Sequence, residues 1–253
     1  MKKHVVITGG AKGIGESAVR IFIREDYRVT ILDIDSKAGY KLSKELGDDV
    51  LFIKCDMANE DMIKKSFSKA IAHFGEISIL VNNVGIVIYG TVTTTTLEDW
   101  DLTMNINLKS YFLCSREAIP SMQKIGKGVI INVSSVQAFN SQSNVAAYTT
   151  GKTALLGLTR SIAVDYAPNI RCVAICPSTI DTPMLQNALK ESPDPQAVLE
   201  ECNNMHLLGR IGKADEVGEL ILFAASDKGG FMTGQAIRVD GGLGIKVDGS
   251  KQE

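Results

Sequence analysis

The sequence predicts an α/β fold in which one doubly wound, seven-stranded parallel sheet carries helices on both faces. Three observations point there. Short β-branched runs alternate with longer segments of helical period, the pattern of repeated βαβ units. A glycine-rich turn follows the first of these runs directly and opens a helix. The chain has 253 residues, 45% hydrophobic and 22% charged, which suits one large α/β domain with a full core rather than a disordered chain.

The predicted strands cover residues 4–8, 28–33, 50–55, 77–82, 128–132, 170–176 and 235–239, each a short run rich in Val and Ile. Between them, residues 14–25, 36–46, 60–74, 102–124, 146–166 and 214–225 read as helices, with polar N-caps such as Ser36 and Asn59. Right-handed crossovers between parallel strands place these helices on both faces of the sheet. Residues 183–209 break the spacing: Pro183, Pro193 and Pro195 punctuate a polar stretch that reads as an irregular flap. It leaves the carboxyl end of a strand, where ligands of open α/β sheets bind, so it is either a substrate lid or surface decoration. The polar tail at 243–253 reads as frayed. The chain is expected to form one domain over 1–253.

Composition excludes several classes of function. Lys plus Arg is 27 and Asp plus Glu is 29, a net charge of −2, so no basic excess exists to neutralise a nucleic-acid backbone. No apolar run approaches the roughly 20 residues of a membrane span. The apolar run at 5–7 ends at once in Thr8-Gly9-Gly10, so no secretion leader is expected. The five cysteines (Cys55, Cys114, Cys172, Cys176, Cys202) form no Cys-x-x-Cys pair and suggest reduced thiols in the cytoplasm. His4, His73 and His206 stand in no ligand spacing with them, and no metal is expected.

Directly after the first strand, Thr8-Gly9-Gly10-Ala11-Lys12-Gly13-Ile14-Gly15 opens a helix. Glycines at Gly9, Gly13 and Gly15 let the backbone turn tightly and approach a pyrophosphate, whose charge suits the helix N-terminus. The alternative is a merely tight connection. The second strand ends in Asp33, 18 residues after Gly15, close to where a nucleotide-binding fold places an acid on the adenosine ribose. A carboxylate there repels a 2′-phosphate and favours NAD, whereas Lys12 beside the loop could pair with that phosphate and leaves NADP open. Asp56 ends the third strand and either accepts a hydrogen bond from the adenine amino group or caps the following turn. Asn82-Asn83-Val84-Gly85 ends the fourth strand beside the same crevice.

Ser135 lies just past the fifth strand, thirteen residues before Tyr148, and Lys152 follows one helical turn later. Tyr148 and Lys152, at i and i+4, share a helix face, and all three can converge on the crevice. A free tyrosine ionises near pH 10, and a nearby ammonium would favour its phenolate. The alternative is an amphipathic coincidence.

Taken together, the pattern resembles the short-chain dehydrogenase/reductase family, with its Rossmann-like fold. The family's TGxxxGxG turn matches residues 8–15 and its NNxG matches residues 82–85. Its Asn, Ser, Tyr, Lys tetrad matches Asn107, Ser135, Tyr148 and Lys152, and its terminal VDGG matches residues 239–242. Val84 stands where the family usually has Ala, and Ser178 where it usually has Gly. The resemblance implies an enzyme that passes a hydride between a nicotinamide and an alcohol or carbonyl substrate. Ser135 would polarise the substrate oxygen, and Tyr148 would act as general acid/base. Lys152 would lower the Tyr148 pKa and hold the nicotinamide ribose, and Asn107 would support a water relay. The implied cofactor set is Gly9, Lys12, Gly13, Ile14, Gly15, Asp33, Ile34, Asp56, Met57, Asn83, Val84, Gly85, Tyr148, Lys152, Pro177, Ile180 and Thr182.

Stretches such as Ser134-Ser135-Val136-Gln137 and Ser178-Thr179-Ile180-Asp181-Thr182-Pro183 are similar to aldose 1-dehydrogenases, which oxidise an anomeric hydroxyl to a lactone. Gln137 and Asn144 offer amides suited to sugar hydroxyls, and with Ser135, Tyr148 and Ser178 they form the expected substrate set. A 3-oxoacyl-carrier-protein or other carbonyl reductase is the alternative within the family. A nucleotide-binding sensor or scaffold without catalysis is the alternative outside it. The family also implies a homodimer or homotetramer through the long apolar helices at 107–124 and 146–166.

Overall fold

The computed structural model of the protein describes residues 2–246. In chain order the elements are β1 (His4–Thr8), α1 (Gly13–Arg24), β2 (Arg28–Asp33), α2 (Ser36–Leu46), β3 (Val50–Lys54), α3 (Glu60–Phe74) and β4 (Ile77–Asn82). The chain continues through α4 (Leu97–Met104), α5 (Ser110–Ile125), β5 (Gly128–Val133), α6 (Ala146–Tyr166) and β6 (Ile170–Pro177). It closes with β7 (Ile180–Asp181), α7 (Pro183–Glu191), α8 (Pro195–Met205), β8 (Gly212–Lys213), α9 (Ala214–Ala225) and β9 (Ala236–Val239).

Seven strands form one parallel sheet in the order β3-β2-β1-β4-β5-β6-β9. Both faces are covered because strand residues alternate in direction. Val5, Ile7, Val29, Ile31, Ile79, Val81, Val129 and Ile131 point to one side, where they pack with Ala18 and Phe22 of α1 and Val217 and Ile221 of α9. Val6, Leu32, Leu80 and Ile130 point to the other and meet Phe67 of α3, Leu113 and Met122 of α5, and Ile162 of α6. The strand order reverses between β1 and β4, and the crevice beyond their carboxyl ends is where an open α/β sheet binds its ligand.

His4 locks the amino end of the sheet. Its Nδ1 lies 2.9 Å from the Gly75 carbonyl and its Nε2 2.9 Å from Thr30 Oγ1. The neutral ring therefore donates through Nδ1 and accepts from Thr30, and burial pushes its pKa down to about 4.

Three segments differ from the sequence-based expectation. The predicted helix at 102–124 begins earlier, at Leu97, behind a Thr96 side chain that accepts from the Asp99 amide. It is then interrupted by a π-helical turn, Asn105–Lys109, before α5. The flap at 183–209 is not irregular: it folds as α7 and α8, with Pro183 and Pro195 at the first helical positions, where a missing N–H carries no penalty. Its two ends are joined by a short parallel ladder, Ile180 opposite Gly212 and Asp181 opposite Lys213. The expected tail at 243–253 starts as a 3₁₀ turn, Leu243–Ile245, and its residues 247–253 lie outside the described residues. Among the described residues no helix is long and apolar enough to cross a membrane.

Candidate active site

The turn between β1 and α1 is built by glycine where no other residue fits. Gly9 and Gly13 adopt φ of +62° and +58°. A Cβ on Gly15 would stand 2.0 Å from the Gly9 carbonyl oxygen. Lys12, at the N-cap of α1, makes no side-chain capping bond, so the first amides of the helix face the crevice without a protein partner from that cap. A positive helix end, a backbone stripped of side chains and an adjacent carboxylate together fit the pyrophosphate and ribose of a dinucleotide.

That carboxylate is Asp33, at the end of β2. Its Oδ2 accepts from the Ala11 amide at 3.0 Å and its Oδ1 from the Asp35 amide at 2.9 Å, which fixes it against the glycine turn. Lys12 is paired within the protein: its Nζ lies 2.6 Å from Asp35, and the pairing raises the Lys12 pKa. Ile34 is largely exposed on the same rim. Asp56 accepts from the Ala58 amide at 2.9 Å and so serves the turn into α3. Met57 buries its side chain in the core beside Cys114. Only its backbone can face a ligand.

Asn83 stitches β4 to the glycine turn, donating to the carbonyls of Thr8 and Gly9 at 3.2 and 3.0 Å. Val84 follows, and its amide donates to Thr8 Oγ1. At Gly85 an added Cβ would lie 3.4 Å from Lys152 Nζ and 3.5 Å from Asn107 Oδ1, so these three residues meet at one point.

Ser135 sits just past β5, its Oγ accepting from the Gln137 amide, close enough to the Tyr148 phenol to act on its ionisation. Enclosure of the Tyr148 ring pushes its pKa up, while the Ser135 hydroxyl draws it down and neighbouring Tyr89 adds a smaller upward push. Lys152 is buried, and burial lowers its pKa to about 7. Its Nζ donates to the Val133 carbonyl at 2.9 Å and to the Tyr111 hydroxyl at 3.3 Å, and lies 5.7 Å from the centre of the Tyr148 ring. Burial thus disfavours the very ammonium from which the charge-driven lowering of Tyr148 is expected. Asn107, in the π-helical turn, gives both ends of its carboxamide to Ile86: Oδ1 accepts from the amide at 2.9 Å and Nδ2 donates to the carbonyl at 2.8 Å.

Around this centre runs a polar rim. Gln137 Nε2 donates to Gln142 Oε1 at 3.1 Å, Thr149 donates to Gln137 Oε1 at 3.3 Å, and Ser141 lies 3.0 Å from Thr149 Oγ1. Asn144 is exposed in a left-handed conformation, φ +62°, and its carbonyl accepts from Gly90, tying the two loops of the rim together. Pro177 and Ile180 are buried at the carboxyl end of β6, and Thr182 packs against Gly13. Ser178 does not present a free hydroxyl to the crevice. His206 Nδ1 donates to the Cys202 carbonyl at 2.7 Å, so its Nε2 accepts from Ser178 at 2.8 Å.

Tyr111 and His206 have no place in the expected set. Tyr111 stands 41 residues from Lys152 and His206 stands 28 from Ser178, spacings that carry no periodic signal. An open groove of about 380 Å³ between Tyr40, Phe52, Lys54, Lys69 and His73 lies at the β3 edge and gathers none of the site residues.

The family model for enoyl-(acyl carrier protein) reductase matches residues 9–244. An uncharacterised oxidoreductase of Thermotoga maritima is 42% identical over 95% of this chain and 96% of its own. The ligand-free aldohexose dehydrogenase of Thermoplasma acidophilum is 38% identical and superimposes with a TM-score of 0.91, covering 100% of this chain and 98% of that one. The 3-ketoacyl-(acyl-carrier-protein) reductase of Brucella melitensis, solved with NADH, is 29% identical with a TM-score of 0.88, covering 96% and 98%.

Proposed function

The chain belongs to the short-chain dehydrogenase/reductase family of nicotinamide-dependent oxidoreductases, and from that premise we propose that it oxidises an aldose at the anomeric hydroxyl to a lactone, with NAD as acceptor. The observation that carries the substrate is the rim of amides and hydroxyls, Gln137, Gln142, Thr149 and Ser141, beside Ser135 and Tyr148. A polyhydroxylated substrate can exchange hydrogen bonds with such groups, which an acyl chain cannot. The likeness to the Thermoplasma aldohexose dehydrogenase supports the same reading. NAD is supported by Asp33 on the ribose side and by the commitment of Lys12 to Asp35.

The bound nicotinamide supplies the two-electron chemistry that no side chain of the protein can. Gly9, Gly13, Ile14, Gly15, Asn83, Val84 and Gly85 would line its path, with Asp33, Ile34, Asp56 and the Met57 backbone at the adenosine end and Pro177, Ile180 and Thr182 at the nicotinamide end. Ser135 holds the substrate oxygen by a hydrogen bond and Tyr148 takes its proton, as general base in oxidation and general acid in reduction. Lys152, once charged, stabilises the Tyr148 phenolate, its Nζ lying 5.7 Å from the centre of that ring. Asn107 holds the Ile86 backbone and so fixes the wall against which Lys152 and Gly85 meet. The helices α7 and α8 form a lid over the substrate in one continuous catalytic domain.

Exposed Phe112 on α5 and Val164 on α6 support assembly of a homodimer or homotetramer through those helices. The five unpaired cysteines support a reducing, cytoplasmic setting. A second reading, 3-oxoacyl-carrier-protein reduction, is favoured by the matching family model and by the Brucella neighbour. The test is steady-state turnover with NAD and NADP across hexoses, pentoses, polyols and simple secondary alcohols, followed by nicotinamide absorbance. Aldose oxidation with NAD is expected. Silence with every sugar, together with consumption of reduced cofactor on a 3-oxoacyl thioester, would replace this reading by the second, and dinucleotide binding without any turnover would point to a sensor.

A further inference from the structure

We propose that Tyr111, which no sequence motif marks, is the positioning residue that fixes the ammonium of Lys152 for cofactor and for Tyr148. The inference rests on the dehydrogenase reading only in that Lys152 must act at the nicotinamide end; it does not depend on the substrate.

Tyr111 is fully buried on α5, and its hydroxyl reaches the two strand ends that frame the crevice. It lies 2.8 Å from the Val84 carbonyl, just past β4, and 3.0 Å from the Val133 carbonyl at the end of β5. A hydroxyl has one proton to donate and two lone pairs to accept with. Whichever carbonyl takes the proton, a lone pair remains, and Lys152 Nζ donates to it at 3.3 Å. Nζ also donates to the Val133 carbonyl at 2.9 Å. Two of the three ammonium protons are thereby engaged, one by the Tyr111 hydroxyl and one by the Val133 carbonyl 3.0 Å from that hydroxyl, and the direction of the third follows from tetrahedral geometry.

The surroundings explain why a phenol is suited to this place. Besides Tyr111, the titratable groups that face Lys152 are Tyr148 on α6 and Cys176 on β6, with the Asn107 carboxamide from the π-helical turn. None is a carboxylate. Burial keeps the phenol of Tyr111 well above its ordinary pKa and the Cys176 thiol at about 11, so near neutral pH both stay uncharged. The ammonium therefore relies on neutral acceptors. The ring of Tyr111 adds to them, with Nζ 5.3 Å from its centre. A phenylalanine would keep the ring and remove the acceptor.

The test uses Tyr111→Phe and, as a second variant, Tyr111→Met, each in the full chain and again combined with Lys152→Met. The ¹³Cε shift of Lys152 in lysine-labelled, ligand-free protein, assigned by its absence in Lys152→Met, gives the ionisation midpoint directly. NADH affinity is read by fluorescence. Removing the acceptor should lower the Lys152 midpoint by about one unit, the roughly tenfold effect of a hydrogen bond to a charged group. NADH affinity at neutral pH should fall several-fold with Lys152 present and stay unchanged in the Lys152→Met background, because the two residues act as one unit. An unmoved midpoint, or equal losses of affinity in both backgrounds, would overturn the assignment and leave Tyr111 a core residue. Failure of both Tyr111 variants to fold would overturn it as well. If the unmodified protein bound no dinucleotide, the cofactor reading would fall, and the ¹³Cε titration would still decide the role of Tyr111.

Discussion

Replacing Lys152 by Met should abolish turnover and at the same time stabilise the ligand-free protein, by an amount that depends on pH in a calculable way. The native pKa of Lys152 is about 7 against 10.5 for an ordinary lysine. Because the native value is depressed, the unfolded chain binds a proton that the folded chain lacks throughout this interval. The stability present above pH 10.5 is lost as pH falls toward 7. At about 1.4 kcal/mol per unit, the loss is about 2 kcal/mol at pH 9 and about 4 kcal/mol at pH 7. Methionine removes this titration but leaves the Val133 carbonyl and the Tyr111 hydroxyl without their donor, which costs about 1–3 kcal/mol. A net gain of about 1–3 kcal/mol at pH 7 remains, a rise in Tm of several degrees for a chain of this size. Urea unfolding of both proteins at pH 7 and pH 9 isolates the effect, since other titrating groups cancel in the difference. The advantage of Lys152→Met should shrink by about 2 kcal/mol between pH 7 and pH 9. An advantage equal at both pH values would refute the reasoning, because it would mean that Lys152 keeps its proton on folding as an exposed lysine does.

Three other outcomes follow from the geometry. Tyr148→Phe should lower kcat by about 10²–10⁴-fold while leaving NADH affinity within about twofold, as stopped-flow and fluorescence titration would register. Gly15→Ala should weaken dinucleotide binding at least tenfold and lower Tm, because its Cβ would stand 2.0 Å from the Gly9 oxygen; unaltered binding would show that the glycine turn is not the pyrophosphate site. His4, neutral with a native pKa of about 4 against 6.5, should withdraw about 3 kcal/mol of stability as pH falls from 6.5 to 4, a slope that His4→Gln should remove from urea titrations.

The inner sheet strands could be read from sequence because they are buried on both faces and appear as unbroken β-branched runs, Val5-Val6-Ile7 or Val129-Ile130-Ile131, whereas the edge strands β3 and β9 are partly exposed. The gathering of Ser135, Tyr148, Lys152 and Gly85 was readable for a different reason: one helix face and two neighbouring strand ends determine it. The flap reads as irregular because proline ordinarily breaks a helix. At Pro183 and Pro195 it starts helices, and Asp194, whose side chain accepts from the Ala197 amide, was the cap that marked the second. The π-helical turn at Asn105–Lys109 leaves no trace in apolar periodicity, since a single widened turn shifts the phase only once. Partnerships between distant residues stay hidden for a more basic reason. Nothing about Tyr111 or His206 as letters says that their polar atoms will meet Lys152 and Ser178 inside the core.

The short ladder between β7 and β8 bears on how such a protein changes its substrate. The chain leaves the sheet at Ile180–Asp181 and comes back beside itself at Gly212–Lys213, with the Gly212 amide also donating to the Thr179 carbonyl at 2.9 Å. Everything between is an excursion whose departure and return points are already held together. Its length and sequence can therefore be altered with little added closure entropy and without moving the strands that carry Asp33, Ser135 or Asn83. Such an arrangement separates the chain into two parts, a sheet whose strand ends are held in place and a cassette of two helices that can vary in length and sequence on its own.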